Sequence, residues 1–147
     1  MLNLSPKRKR QARITAIQAV YAQELQGSNP KTTFQEMMQS EDQIPAKVKQ
    51  YGKHLCQITL DNISEVDTLI KIRLKNWDME RLTLMDKLIL RVSIAEMLFE
   101  ASVPPKVSIS EGVEIAKQFS TPDSSSFING ILDSVYNEKI KGKEKTD

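Results

Sequence analysis

A chain of 147 residues has the length of one domain, and five glycines among long stretches of Leu, Ile, Ala, Glu, Lys and Gln point to an all-α protein. The net charge of +2 hides an asymmetry: residues 1–13 carry five cations and no acid, residues 139–147 carry four lysines against two acids, and the body between them is net −5. One cysteine excludes a disulfide framework or a Cys-based metal site, and no apolar run approaches the ~18 residues that span a bilayer.

Ser5-Pro6 opens the first helix, because a serine hydroxyl caps an orphan N–H and proline fits the first turn. At about 100° per residue, Lys7, Arg10, Ile14, Ile17, Tyr21 and Leu25 fall on one stripe, cationic at its start and apolar afterwards. The stripe predicts a core-facing ridge whose first two turns project beyond the core. Lys7, Arg8, Lys9, Arg10 and Arg13, with no acid before Glu24, load the helix N-terminus with the wrong sign for its dipole. Stability does not favour that placement; docking of an anion does. The helix is expected to end near Gly27, with a turn at Ser28-Asn29-Pro30, and a short second helix follows on Phe34, Met37 and Met38.

Ile44-Pro45 begins a helical pattern that runs to about Lys75, with a slip at Asp61-Asn62 that predicts two helices in succession or one bent helix. His54 and Cys56 are two apart and share no helix face, so His54 is a surface or satisfied histidine. Trp77, in the connector, reads as a packing lock. Thr83-x-x-Asp86 is a capping-box pattern before an apolar helix carrying Leu88, Ile89, Val92, Ala95 and Phe99, central to a bundle. Val103-Pro104-Pro105 ends it, and Ser108-x-x-Glu111 is read as the start of the next helix, with Ile109, Val113, Ala116 and Phe119 inward. Asp123 is expected to cap a last helix bearing Phe127, Ile131 and Val135; within it Gly130 suggests close approach by another backbone. The chain then divides into a basic arm (1–13), an N-terminal bundle (14–75), a C-terminal bundle (81–138) and a flexible lysine-rich tail (139–147), with about seven helices in one globular domain.

No Gly-rich phosphate loop, metal-ligand spacing, Ser/His/Asp set or activated cysteine stands in the chain. Neither catalysis, nor a cofactor, nor a metal is expected. The basic N-terminus has no apolar stretch behind it, which argues against a secretory signal, and its continuity with a core-forming helix argues against a cleaved presequence. A cytoplasmic location is expected.

Several stretches together resemble the NusB transcription antitermination family: Arg10 to Arg13 with Gln18 to Tyr21, Arg81 to Asp86 with Ile89-Leu-Arg91, Val103 to Val107, Glu111 to Lys117, and Asp123-Ser124 with Phe127 to Asp133. Their order spans residues 7 to 133. The resemblance implies two packed helical bundles, pairing with the ribosomal protein NusE, binding of boxA-type single-stranded RNA from ribosomal RNA leaders, and a place in the RNA polymerase antitermination complex. It assigns RNA binding to Lys7, Arg8, Lys9, Arg10, Arg13 and Phe127, and partner binding to Tyr21, Asp86 and Asp123. Ser110 and Gly112 stand where the family often has Asn and Ala, which lowers expected helix stability; Ser126 stands where a lysine is common, which removes a cation from the RNA edge.

Each assignment has a plainer alternative. Tyr21 can be core, Asp86 the capping-box acid, Asp123 an N-cap, and Phe127 a buried ring. Two rival functions follow as well. One is a targeting module related to ribosomal RNA cytosine methyltransferases, although the chain stops before any methyltransferase domain; the other is a structural helical interaction protein.

Overall fold

The computed structural model describes residues 4–26, 39, 43–74 and 82–141. Every described element is helical: α1 Pro6–Gln26, α2 Ala46–Asp61, α3 Ile63–Leu74, α4 Leu84–Phe99, α5 Pro105–Phe119, α6 Pro122–Tyr136, and a π-helical turn Asn137–Lys141. The helix expected around Phe34 to Met38, the Trp77 junction and the end of the tail lie outside the described residues.

The chain forms two compact units, Met1–Asp61 and Asn62–Asp147. Their boundary is the Asp61-Asn62 slip, where Asn62 sits in a turn and its carbonyl accepts from the Val66 N–H. Helix α3, grouped by sequence with the N-terminal bundle, therefore belongs with the second unit. Its buried Val66, Leu69, Ile70 and Leu74 explain this, because α3 packs on α4 and α6.

In the first unit α1 packs on α2. The buried apolar residues of α1 are Ala12, Ala16, Ile17, Ala19 and Val20, and those of α2 include Val48, Tyr51, Leu55 and Cys56. The expected ridge is thus corrected in part: Ile17 is buried as expected, and its other apolar members are not. Ile14 is half-buried, Tyr21 is 41% exposed and Leu25 is 64% exposed. Small alanines let one helix approach another closely, so the core stripe follows them rather than the bulkiest residues. Burial pushes the Cys56 thiol up to about 11, which keeps it protonated and inert near neutral pH.

In the second unit α4 is central, buried without interruption from Leu88 to Met97 and packed on α3, α5 and α6. Thr83 caps it, its hydroxyl accepting from the Asp86 N–H at 3.1 Å. Arg91 forks onto Asp67 of α3, with Nε and Nη2 each 2.9 Å from a carboxylate oxygen. Helix α5 begins at Pro105, not at Ser108: proline supplies the first-turn φ, and the Val107 N–H bonds the Pro104 carbonyl. Ser108 is buried one turn in, where its hydroxyl donates to Glu96 Oε1 at 2.8 Å. Phe119 is exposed rather than inward. Helix α6 is capped by Thr121, whose hydroxyl accepts from the Ser124 N–H, so Asp123 stands in the first turn and is not the cap.

The close approach expected at Gly130 is found at Gly112 instead. A Cβ on Gly112 would lie 2.6 Å from Ser93 Oγ and 3.1 Å from Leu132 Cδ1, whereas one on Gly130 meets nothing within 4 Å. Opposite outcomes are expected. Gly130→Ala stabilises the fold by about 1 kcal/mol through helix propensity, while Gly112→Val overpacks the α4–α5–α6 contact and costs about 2–3 kcal/mol. Urea unfolding of the two variants checks this; equal shifts would refute the assignment of the close contact.

Candidate nucleic-acid interface

In the first unit the site is the start of α1. The Ser5 hydroxyl accepts from the Arg8 N–H at 3.2 Å, and the Ser5 carbonyl accepts from the Lys9 N–H, which holds the first turn. No acid occupies that turn, so the positive helix end and the cations add rather than cancel. Lys7 and Arg8 are exposed, and Lys9 and Arg10 are half-buried. Arg13 is only 4% exposed and lies among the buried residues of α1. Spacing explains the difference: residue 13 stands on the side of Ala12, Ala16 and Val20, and residues 7, 10 and 14 stand on the flank. Lys7, Arg8 and Arg10, with Gln11, Ile14 and Gln18, border a cavity of about 500 Å³. Tyr21, further along α1, presents its ring to solvent.

In the second unit the candidate residues part ways. Asp86 is 5% exposed, and both of its carboxylate oxygens are engaged inside the unit. Ser120 Oγ donates to Oδ1 and Ser124 Oγ to Oδ2, each at 2.8 Å. Asp86 therefore ties the start of α4 to the end of α5 and the start of α6, and is not an open partner surface. Asp123 and Phe127 are one turn apart on α6 and both exposed, Phe127 at 38%. Phe127 borders a second cavity, about 530 Å³, with Ile72, Arg73, Gly130 and Ile131. Arg73 is held there by Ser134, with Nε donating to Oγ at 3.0 Å, and by Glu138 at 3.2 Å.

Sequence reasoning misses Ser120, Ser124 and Arg73 as organisers of this unit. The only local signal is their polarity, and their partners stand far away in the chain. Among the described residues no group of three or more His, Cys, Asp or Glu is placed to hold a metal, and no helix is long and apolar enough to cross a membrane.

The NusB family model matches residues 10–137, from the second turn of α1 through α6. The chain belongs to the NusB family. A transcription antitermination protein NusB of Chloroherpeton thalassium is 40% identical over 91% of this chain, which spans 64% of that relative's length. A NusB of Treponema pallidum is 38% identical, with coverage of 86% of this chain and 91% of the relative. Among solved structures, a complex of antitermination factors NusB and NusE with double-stranded RNA contains a chain with a TM-score of 0.80 and 26% identity, covering 91% of this chain and 99% of that one. The family match takes in Arg10, Arg13, Tyr21, Asp123 and Phe127; Lys7, Arg8 and Lys9 precede it on the same NusB helix.

Proposed function

We propose that this NusB-family chain is a cytoplasmic RNA-binding adaptor of transcription antitermination, without catalysis of its own, which binds boxA-type RNA together with the ribosomal protein NusE. The observation that carries the reading is the first turn of α1, where exposed Lys7 and Arg8 stand at a helix N-terminus free of acids. Phosphates are attracted there by side-chain charge and helix end together. The relatives named for antitermination, and a neighbour solved with NusE and RNA, support the same role.

Lys7 and Arg8 are the first phosphate contacts in this reading, with Lys9 and Arg10 adding charge from half-buried positions. Arg13 acts through the packing of α1. Exposed Tyr21, Asp123 and Phe127 are the contacts offered to the protein partner or to an unstacked base. Asp86, being buried and engaged, serves the fold.

The body of the chain, net −5 outside the arm and tail, repels RNA that runs across it. A basic partner that covers the acids removes that repulsion. RNA is therefore expected to bind at least about fivefold tighter with NusE present, and RNA to raise NusE affinity by the same factor. Titration of labelled boxA-type RNA at one fixed salt, with and without saturating NusE, tests it. Equal affinities would overturn the adaptor and favour a free-standing RNA-targeting module.

A further inference from the structure

The cavity beside the first turns of α1 has more in it than a phosphate needs. Among the described residues its cations are Lys7, Arg8 and Arg10, and no acid lines it. It also carries two aliphatic side chains, Ile14 from α1 and Ile44 from the segment before α2, both half-buried. Its volume of about 500 Å³ lies within the ~300–1,000 Å³ of small-ligand sites. An anion alone gains nothing from isoleucines; a flat heterocycle joined to phosphates gains from both.

Among the described residues three uncharged polar side chains line this space, and two of them already make hydrogen bonds within α1. The Thr15 hydroxyl donates to the Gln11 carbonyl at 2.8 Å, and the Gln11 Oε1 accepts from Arg8 Nη1 at 3.3 Å. Gln18 is exposed and borders the same space. Its amide offers a donor and an acceptor side by side, the pattern that reads the edge of an unpaired base.

We infer that this cavity is a base pocket: one unstacked nucleobase of the bound RNA packs on Ile14 and Ile44, Gln18 reads its edge, and the flanking phosphates lie on Lys7 and Arg8. The inference rests on the RNA-binding reading above and adds a source of sequence preference to it. Gln18 is then a specificity-determining residue, while Lys7 and Arg8 supply affinity without preference.

The test uses the full chain with saturating NusE and a boxA-type RNA in which each position is changed in turn to the other three bases. Wild type is expected to show at least one position where a base change costs about tenfold. Gln18→Leu should flatten that position while leaving the salt dependence of binding intact, and Gln18→Glu, which replaces the donor by an acceptor, should change the preferred base there. Lys7→Ala should do the converse, lowering the slope of log K against log salt by about 0.7 with the preference unchanged. Gln18 is exposed, so these variants keep the fold. Should Gln18→Leu retain every preference, or weaken all RNAs alike, the base pocket is refuted while salt-dependent RNA binding stands. Should wild type fail to bind any of the RNAs, both the pocket and the adaptor reading fall.

Discussion

Replacing Lys7, Arg8 and Arg10 together by alanine is expected to lower RNA affinity about a hundredfold at 0.1 M salt, with the protein fully folded. Each phosphate contact to a single strand contributes ~0.7 to the slope of log K against log salt, so three lost contacts flatten it by about 2. Between 1 M and 0.1 M salt that slope difference is a factor of about 100. Lys7 and Arg8 are exposed at the positive end of α1, and removing their charge relieves repulsion by a few tenths of a kcal/mol each at most. Arg13→Ala provides the contrast. Its side chain is buried within the first unit, so the loss is expected in the unfolding midpoint with little change in salt slope. Fluorescence titrations of labelled RNA at several salt concentrations, paired with urea unfolding, separate the two effects. An unchanged slope in the triple variant would remove the start of α1 from the interface.

Asp86→Ala is expected to destabilise the second unit by about 3–5 kcal/mol, because two charge-assisted hydrogen bonds at 2.8 Å disappear together. The Ser124 hydroxyl is buried and loses its charged acceptor, which leaves it only the neutral Thr121 hydroxyl at 3.0 Å. Asp86→Asn should cost far less, about 1–2 kcal/mol. Ser124 Oγ lies 3.0 Å from Thr121 Oγ1, and its proton goes to Asp86 in the native protein, so Thr121 donates to Ser124. With an amide at position 86 this relay can reverse: Ser124 accepts from the amide and donates to Thr121. The Thr83 cap on the residue 86 N–H survives in both variants, because it uses the backbone. Urea unfolding followed by circular dichroism measures both losses. A cost below about 1 kcal/mol for the alanine variant would mean that the serines hold the three helix ends without the carboxylate.

The positions of helices and breaks could be read from the chain because their causes are local. The Thr83 cap, the proline stops at Pro104 and Pro105 and the slip at Asn62 each depend on residues within one turn. The cationic start of α1 was legible for the same reason, since five cations without an acid within thirteen residues need no knowledge of the fold. In α4 and α6 the apolar spacing named Leu88, Ile89, Val92, Ala95, Ile131 and Val135, all of them buried, but the buried side of α1 was not legible, because it is set by the helix that packs against it. Periodicity puts Arg10 and Ile14 on one stripe, but the choice between that stripe and the alanine side with Arg13 was made by α2. Asp86 shows the same limit. Its spacing from Thr83 announces a cap, yet its carboxylate is held by serines 34 and 38 residues away, which only the packing of α5 and α6 brings within reach. Gly112 and Gly130 have identical propensities, and only the neighbours at Ser93 and Leu132 decide that one has no room for a side chain and the other does. Backbone conformation follows from short-range sterics and hydrogen bonding, whereas exposure, and with it which candidate residues can touch RNA or a partner, follows from contacts between segments distant in the chain.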